Sequence, residues 1–254
     1  MENLTLAFVF AFGAIIGSFL NVCIARLPEG RSIVQPPSHC PKCQTFLAWY
    51  DNVPILSYLV LAGRCRTCRV PISAIYPAVE VLTGALAVAL FLRLGPTLAF
   101  AGYFAFAAAL VVITFIDLDH QIIPDVISLP GIAIGLAFSL VSPLVTPRDA
   151  LLGVLAGGGT LLAVAWTYQK LRNVEGMGGG DIKLLAMIGA FLGWQSIFVT
   201  LFVGSVIGSL IGVVVMLYEG ADTKLAIPFG PFLAGGALVY LFWGDRILAF
   251  YCGS

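Results

Sequence analysis

What most constrains this chain is a succession of apolar runs near the ~20-residue length needed to cross a bilayer. They fall at about 4–25, 74–92, 97–116, 126–144, 149–168, 182–194, 196–217 and 228–244, the sixth being short. Of 254 residues, 60% are apolar and only 10% charged, where an ordinary soluble domain carries roughly 25% charged residues. The pattern predicts an all-α polytopic membrane protein of about eight transmembrane helices, with the lipid bilayer as its obligatory partner. Lysine plus arginine equals aspartate plus glutamate at thirteen each, so overall charge points to no nucleic-acid partner. No low-complexity segment or internal repeat stands out.

The first run, Leu4 to Ile24, is too long for the apolar core of a signal peptide, and Glu2 stands where a basic segment would precede one. It is expected to remain as a helix with its N-terminus outside. The inside segments are then 26–73, 117–125, 169–181 and 218–227. With their flanks they hold Arg26, Arg31, Lys42, Arg64, Arg66, Arg69, Lys170, Arg172, Lys183 and Lys224, against Arg93, Arg148 and Arg246 outside. Ten against three is a positive-inside bias that sets the expected orientation. The chain divides into a first transmembrane helix (1–25), a cytoplasmic insert (26–73) and a transmembrane core (74–254).

The insert carries HCPKC and CRTC, which together give C-x2-C-x21-C-x2-C from Cys40, Cys43, Cys65 and Cys68. Two thiolate pairs at this spacing can surround Zn2+ tetrahedrally. The alternative, two disulfides, is disfavoured because the topology places the loop in the reducing cytosol. Four thiolates close the coordination shell and leave no position for substrate or water, so the zinc is expected to be structural. Cys23 and Cys252 read as packing residues, and His39 as a solvated loop histidine rather than a ligand.

The stretch VVITFIDLDHQIIPDVISLPGI puts Asp117, Asp119 and Asp125 into nine residues flanked by membrane-like sequence. A carboxylate near hydrocarbon costs several kcal/mol unless hydrated, paired or protonated, which makes a functional role the default. A second acidic stretch, EGMGGGDIKLLAMIG, holds Glu175 and Asp181. Its glycines do not form a phosphate loop, since no strand precedes them and no Gly-Lys-Ser/Thr follows. They suit a turn that brings a carboxylate into a crowded site, with Asp181 opening the next helix as a cap or first-turn acid. Between Asp117 and Asp181 the chain crosses the membrane twice, so both lie on one side at similar depth. Two adjacent carboxylates share a proton and can polarise water between them, as in aspartic proteases. Intramembrane acids also serve proton relays, so a proton-coupled transporter is the rival from another class, although its usual repeated halves are not evident. Asp125, after Pro124, reads equally as the N-cap of the fourth helix or as a direct participant. Asp119 and His120 read as wetted loop residues. Glu80, in YPAVEVLTG, lines the same site or pairs with an arginine of the insert, and the sequence does not decide between these.

With these residues in view, the chain resembles the bacterial type IV prepilin peptidases, or prepilin leader peptidase/N-methyltransferases, which are polytopic aspartic peptidases of the GxGD type. The resemblance runs through GSFLNVCIARLP at 17–28, CPKC and CRTC followed by ISAIYPAVE, then DLDHQIIPD, GMGGGDIKLLAMIG and IPFGPFLAGG. It implies Asp117 and Asp181 as the catalytic pair, the two acids that helix parity also selects. It further implies a prepilin or pseudopilin substrate, in type IV pilus or type II secretion systems, with a short basic cytosolic leader ending in Gly. Cleavage would follow that Gly at the inner membrane face, and S-adenosylmethionine would supply a methyl group to the new N-terminal residue. Gly179, between the second and third glycines of the motif, is often larger in relatives. Nothing in the sequence resembles a Rossmann glycine loop for the methyl donor.

Overall fold

A computed structural model of the chain describes residues 2–172, 178–219 and 228–252. Glu175 and Lys224 lie outside the described residues, as does the side chain of Cys252. Among the described residues the chain is helical and has no strand, only two isolated antiparallel bridges, His39 with Phe46 and Arg64 with Pro71. The elements are α1 (Glu2–Arg26), a 3-10 turn at Trp49–Asn52, α2 (Leu56–Val60), α3 (Ile75–Leu94), α4 (Leu98–His120), α5 (Asp125–Phe138), α6 (Pro147–Arg172), α7 (Gly179–Leu192), α8 (Gln195–Glu219) and α9 (Gly230–Cys252).

Six of these, α1, α3, α4, α6, α8 and α9, are long and apolar enough to cross a membrane. The other two expected crossings correspond to α5 and α7, each of 14 residues. At 1.5 Å per residue these span about 21 Å, short of the ~30 Å hydrocarbon core. The expectation of eight full crossings therefore becomes six long helices and two short ones. The fourth apolar run ends its helix at Phe138 and continues as turns, with Ser139 and Ser142 amides bonding back to Gly135 and Phe138 carbonyls.

The chain forms two compact units, Met1–Val112 and Ile113–Ser254. In the first, α1 packs along α3. Gly13 and Gly17, one turn apart, give α1 a flat strip that meets Thr83, Gly84 and Ala87 of α3 and the backbone of Glu80. Without a hydrophobic drive between helices in lipid, such small-residue strips supply the close van der Waals contact that holds membrane helices together. Phe12, Phe100 and Phe104 add ring contacts within this unit at centroid separations of 5.8–5.9 Å.

In the second unit α7 is the central element, packed against α5, α6, α8 and α9. Every residue from Leu184 to Leu192 is buried. A helix covered on all sides is apolar all round, which explains why α7 carries no polar stripe. Gly153 of α6 and Gly189 of α7 lie face to face, and a Cβ on either would run into the backbone carbonyl of the other. One turn along α6, a Cβ on Gly157 would come 2.5 Å from the Leu185 carbonyl oxygen. The helix stops at Gly193, whose positive φ of 79° turns the chain while its amide closes onto the Gly189 carbonyl.

A Gly189→Val substitution should therefore force α6 and α7 apart. The expected loss is about 1–3 kcal/mol or more of stability, read as a lowered midpoint in mixed-micelle unfolding. Gly159→Ala, where a Cβ meets nothing within 4 Å, should leave that midpoint unchanged.

Candidate active site and metal-binding insert

Asp117 sits in the last turns of α4 and is 5% exposed. Its Oδ2 accepts a hydrogen bond of 2.9 Å from the Gly230 amide at the start of α9. The first amides of a helix have no partner within it and carry the positive end of its dipole, so a carboxylate is well placed there. A side chain at Gly230 would displace the Asp117 carboxylate, because a Cβ would lie 2.6 Å from Asp117 Oδ2 and 3.2 Å from its Cγ.

After α4 the chain reverses at Gln121, whose amide bonds to the Asp117 carbonyl at 2.9 Å and whose φ is 54°. Ile123 then points between two glycines. A Cβ on Gly180 would lie 2.9 Å from Ile123 Cβ, and one on Gly230 would lie 3.4 Å from its Cδ1. The α4–α5 turn, the start of α7 and the start of α9 thus converge on one side chain. Asp181 stands in the first turn of α7, whose N-cap is Gly178. It lies within electrostatic reach of Asp117, whose negative charge acts on it.

Asp125 does not serve as a cap. The N-cap of α5 is Pro124, and Asp125 is the first helical residue. Its carboxylate receives both bonds of Lys183 Nζ, at 2.6 and 2.8 Å, tying the start of α5 to the first turns of α7. The same ion pair brings the two starts to one level, whether or not α5 makes a full crossing. Asp119 and His120 are exposed, and they belong to the last turn of α4 rather than to a loop. Of the glycine-rich stretch, Gly176 and Met177 lie outside the described residues. At Gly179 a Cβ would meet nothing within 4 Å, so the position accepts a larger residue.

In the first unit the insert folds as two like turns. The Cys40 amide bonds to the Thr45 carbonyl and the Gln44 amide to the Cys40 carbonyl. The second turn repeats this with Cys65, Val70 and Arg69, and Gln44 and Arg69 have matching φ values of 58° and 57°. The four sulfurs of Cys40, Cys43, Cys65 and Cys68 lie within 4.8 Å of one another, a group that could hold a metal ion. All four are free thiols. The Thr45 hydroxyl, and then its backbone amide, holds the Cys43 thiol down at about 6, in the direction a metal ligand requires. His39 contacts the Pro37 carbonyl at 3.1 Å and takes no part in the group. Cys23 is buried, as a packing residue is.

Glu80 is 7% exposed, and its partner is not an arginine. Its Oε2 accepts a 2.7 Å bond from the Ile55 amide, with Ser18 as a second donor. Ile55 has a φ of 63°, an uncommon conformation for a β-branched residue. Arg66 instead grips Asp51 through Nε and Nη2 at 2.6–3.1 Å and lies over the Tyr50 ring. Sequence reasoning did not single out Gly230, Ile123, Lys183 or Ile55. Gly230, Ile123 and Lys183 stand within IPFGPFLAGG, DLDHQIIPD and GMGGGDIKLLAMIG, but nothing local marks what each touches, and Ile55 lies in none of these motifs.

Residues 11–94 match the model of the bacterial peptidase A24 N-terminal domain, and residues 104–213 that of the type IV leader peptidase family. The chain is 39% identical to a prepilin leader peptidase/N-methyltransferase of Aeromonas hydrophila, over 96% of this chain and 92% of that protein. It is 36% identical to one from Burkholderia pseudomallei (95% and 86% covered). One from Pseudomonas aeruginosa is 35% identical (97% and 94% covered). No solved structure matches.

Because Asp125 and Lys183 are partly exposed, at 55% and 35%, their coupling should be modest, about 0–1 kcal/mol. A double-mutant cycle with Asp125→Asn and Lys183→Met, read by unfolding in detergent at low and high salt, should show this coupling and its screening.

Proposed function

The chain belongs to the prepilin leader peptidase/N-methyltransferase family, and we propose that it cleaves the leader of a prepilin or pseudopilin and then methylates the new N-terminus. The observation that carries the reading is the Asp117 carboxylate, buried and held by the Gly230 amide, within electrostatic reach of Asp181. Two carboxyl groups so placed resist carrying two charges and share a proton. The ionised member accepts a proton from water as its oxygen attacks the scissile carbonyl, and the protonated member donates to the carbonyl oxygen. Collapse of the tetrahedral intermediate breaks the C–N bond and passes a proton to the departing amine. The Gly230 amide fixes one carboxylate oxygen of Asp117, and Ile123 lies between the start of α7, which carries Asp181, and the start of α9, which supplies that amide. The protein would reside in the bacterial inner membrane, and the distribution of lysine and arginine would turn this end of the helices to the cytoplasm.

The cysteine insert would hold one Zn2+. A tetrahedral zinc with Zn–S bonds of ~2.3 Å needs sulfurs about 3.8 Å apart. Cys40 and Cys68 are separated by 3.8 Å, and Cys43 and Cys65 by 4.0 Å. All four ligands are thiols, so the role is structural. For methylation, S-adenosylmethionine supplies an electrophilic methyl group.

Asp117→Asn and Asp181→Asn should each abolish release of the leader from a prepilin peptide, followed by mass spectrometry, while the protein stays folded in detergent. Near-normal cleavage by either variant removes that residue from the pair. Gly230→Ala, which pushes on Asp117 Oδ2, should lower kcat about 10²-fold. Metal analysis of purified protein should give about one zinc per chain, lost in the Cys40→Ser/Cys65→Ser variant.

A further inference from the structure

We propose that residues 49–60 of the insert are not a cytosolic loop but an interfacial segment, lodged in the headgroup boundary of the leaflet from which α3 begins, with anionic phospholipid as its partner. The sequence DNVPILSYLVLAG (51–63) includes an apolar run inside an otherwise polar insert. It folds into the 3-10 turn Trp49–Asn52 and α2, and these two elements contact each other. Neither buries a residue in the protein. Trp49 is 80% exposed, Leu59 66% and Val60 79%, with Leu56 and Tyr50 also exposed. Leu56, Leu59 and Val60 follow the i, i+3, i+4 spacing that places them on one face of α2. Five large apolar or aromatic side chains on adjoining elements make a patch that water disfavours.

The depth of the patch identifies what covers it. Glu80 lies five residues into α3, about 7.5 Å along its axis. Its side chain leans back toward the helix start and receives the Ile55 amide at 2.7 Å. The residue that immediately precedes α2 is therefore held level with the first two turns of α3, a helix that crosses the bilayer. Interfacial helices bury their apolar faces ~5–10 Å into the headgroup boundary, which is the layer this bond reaches. An amide that approaches the hydrocarbon is best satisfied by the protein itself. The Ile55 amide is taken by Glu80, and the Ser57, Leu59 and Leu61 amides bond to the Val53, Ile55 and Ser57 carbonyls.

Charge and composition select the lipid. Between residues 26 and 73 there are six arginines and lysines, against Glu29 and Asp51. Lys42, Arg64 and Arg69 are exposed, whereas Arg66 is committed to Asp51. Basic residues beside an apolar face attract anionic headgroups. Trp49 and Tyr50 are the residue types that settle at the membrane–water boundary.

The test uses the full chain in lipid nanodiscs with Trp166, Trp194 and Trp243 replaced by Phe, so that Trp49 alone emits. Lipids brominated near the headgroup end of the acyl chain should remove most of its emission, while aqueous acrylamide quenches it weakly. Replacing phosphatidylcholine in part by phosphatidylglycerol should increase the bromolipid quenching, and Leu56→Ser/Leu59→Ser/Val60→Ser should reverse the preference for the two quenchers. Strong acrylamide quenching without bromolipid quenching would place Trp49 in water and overturn the proposal. Shielding from both quenchers would mean that a protein surface, such as a second copy, covers the patch, and would overturn it equally. Should the triple-Phe protein fail to fold, the difference between wild type and Trp49→Phe in the same assay reads the same component.

Discussion

At membrane depth no water is available to a polar group, so each must be satisfied by the protein itself. Three carboxylates near the ends of these helices find partners in two ways. Asp125 takes an opposite charge, Lys183, and is neutralised by it. Glu80 and Asp117 take backbone amides, those of Ile55 and Gly230. An amide donates a hydrogen bond that orients a carboxylate, and, being neutral, it does not cancel the charge. Asp125 is tied to a partly exposed lysine, whereas Glu80 and Asp117 are buried and held by neutral donors. Asp117 is the buried, amide-bound acid that also lies within electrostatic reach of a second carboxylate, Asp181.

That arrangement depends on helices approaching closely enough to bring three chain reversals together. The approach is made by small residues, since lipid supplies no hydrophobic drive between helices. Gly153 and Gly189 let α6 lie against α7, Gly180 admits Ile123, and Gly230 admits the Asp117 carboxylate. A Cβ at any of these would move the element that carries an acid. The central helix can then be only 14 residues long, because its neighbours bury it from Leu184 to Leu192.

Much of this was legible in the sequence because membrane helices declare themselves by length and composition. The apolar runs located the helices, the cysteine spacing located the group of four sulfurs, and both stretches that carry Asp117 and Asp181 drew attention by placing acids beside hydrocarbon-like sequence. The misreadings share a physical cause. Whether a 14-residue apolar run crosses or stops short depends on what surrounds it, as α5 and α7 show. The partner of Asp125 lies 58 residues away at Lys183, and that of Glu80 is a backbone amide, a donor every residue except proline possesses. No local pattern marks either. The apolar run within the insert was visible, but too short to register as a crossing.

In the insert, a group of sulfurs that could hold a metal and a buried carboxylate serve one small module. Between residues 27 and 73 the only buried apolar residues are Cys40 and Cys65, so the segment has no hydrophobic core apart from the sulfurs. Segments this small ordinarily need a metal, disulfides or another covalent or external support. Here all four thiols are free and lie within 4.8 Å of one another, so a metal between them would join the two cysteine turns. Metal binding would then act as folding energy for the module. It would fix the two turns to each other but not to the helices. That second attachment is made by Glu80 reaching Ile55 and by Arg26, at the end of α1, donating to the Ser32 and Pro36 carbonyls at 3.0 and 2.7 Å. Two buried charged side chains, one from each bounding helix, thus hold a module whose own cohesion rests on four sulfurs.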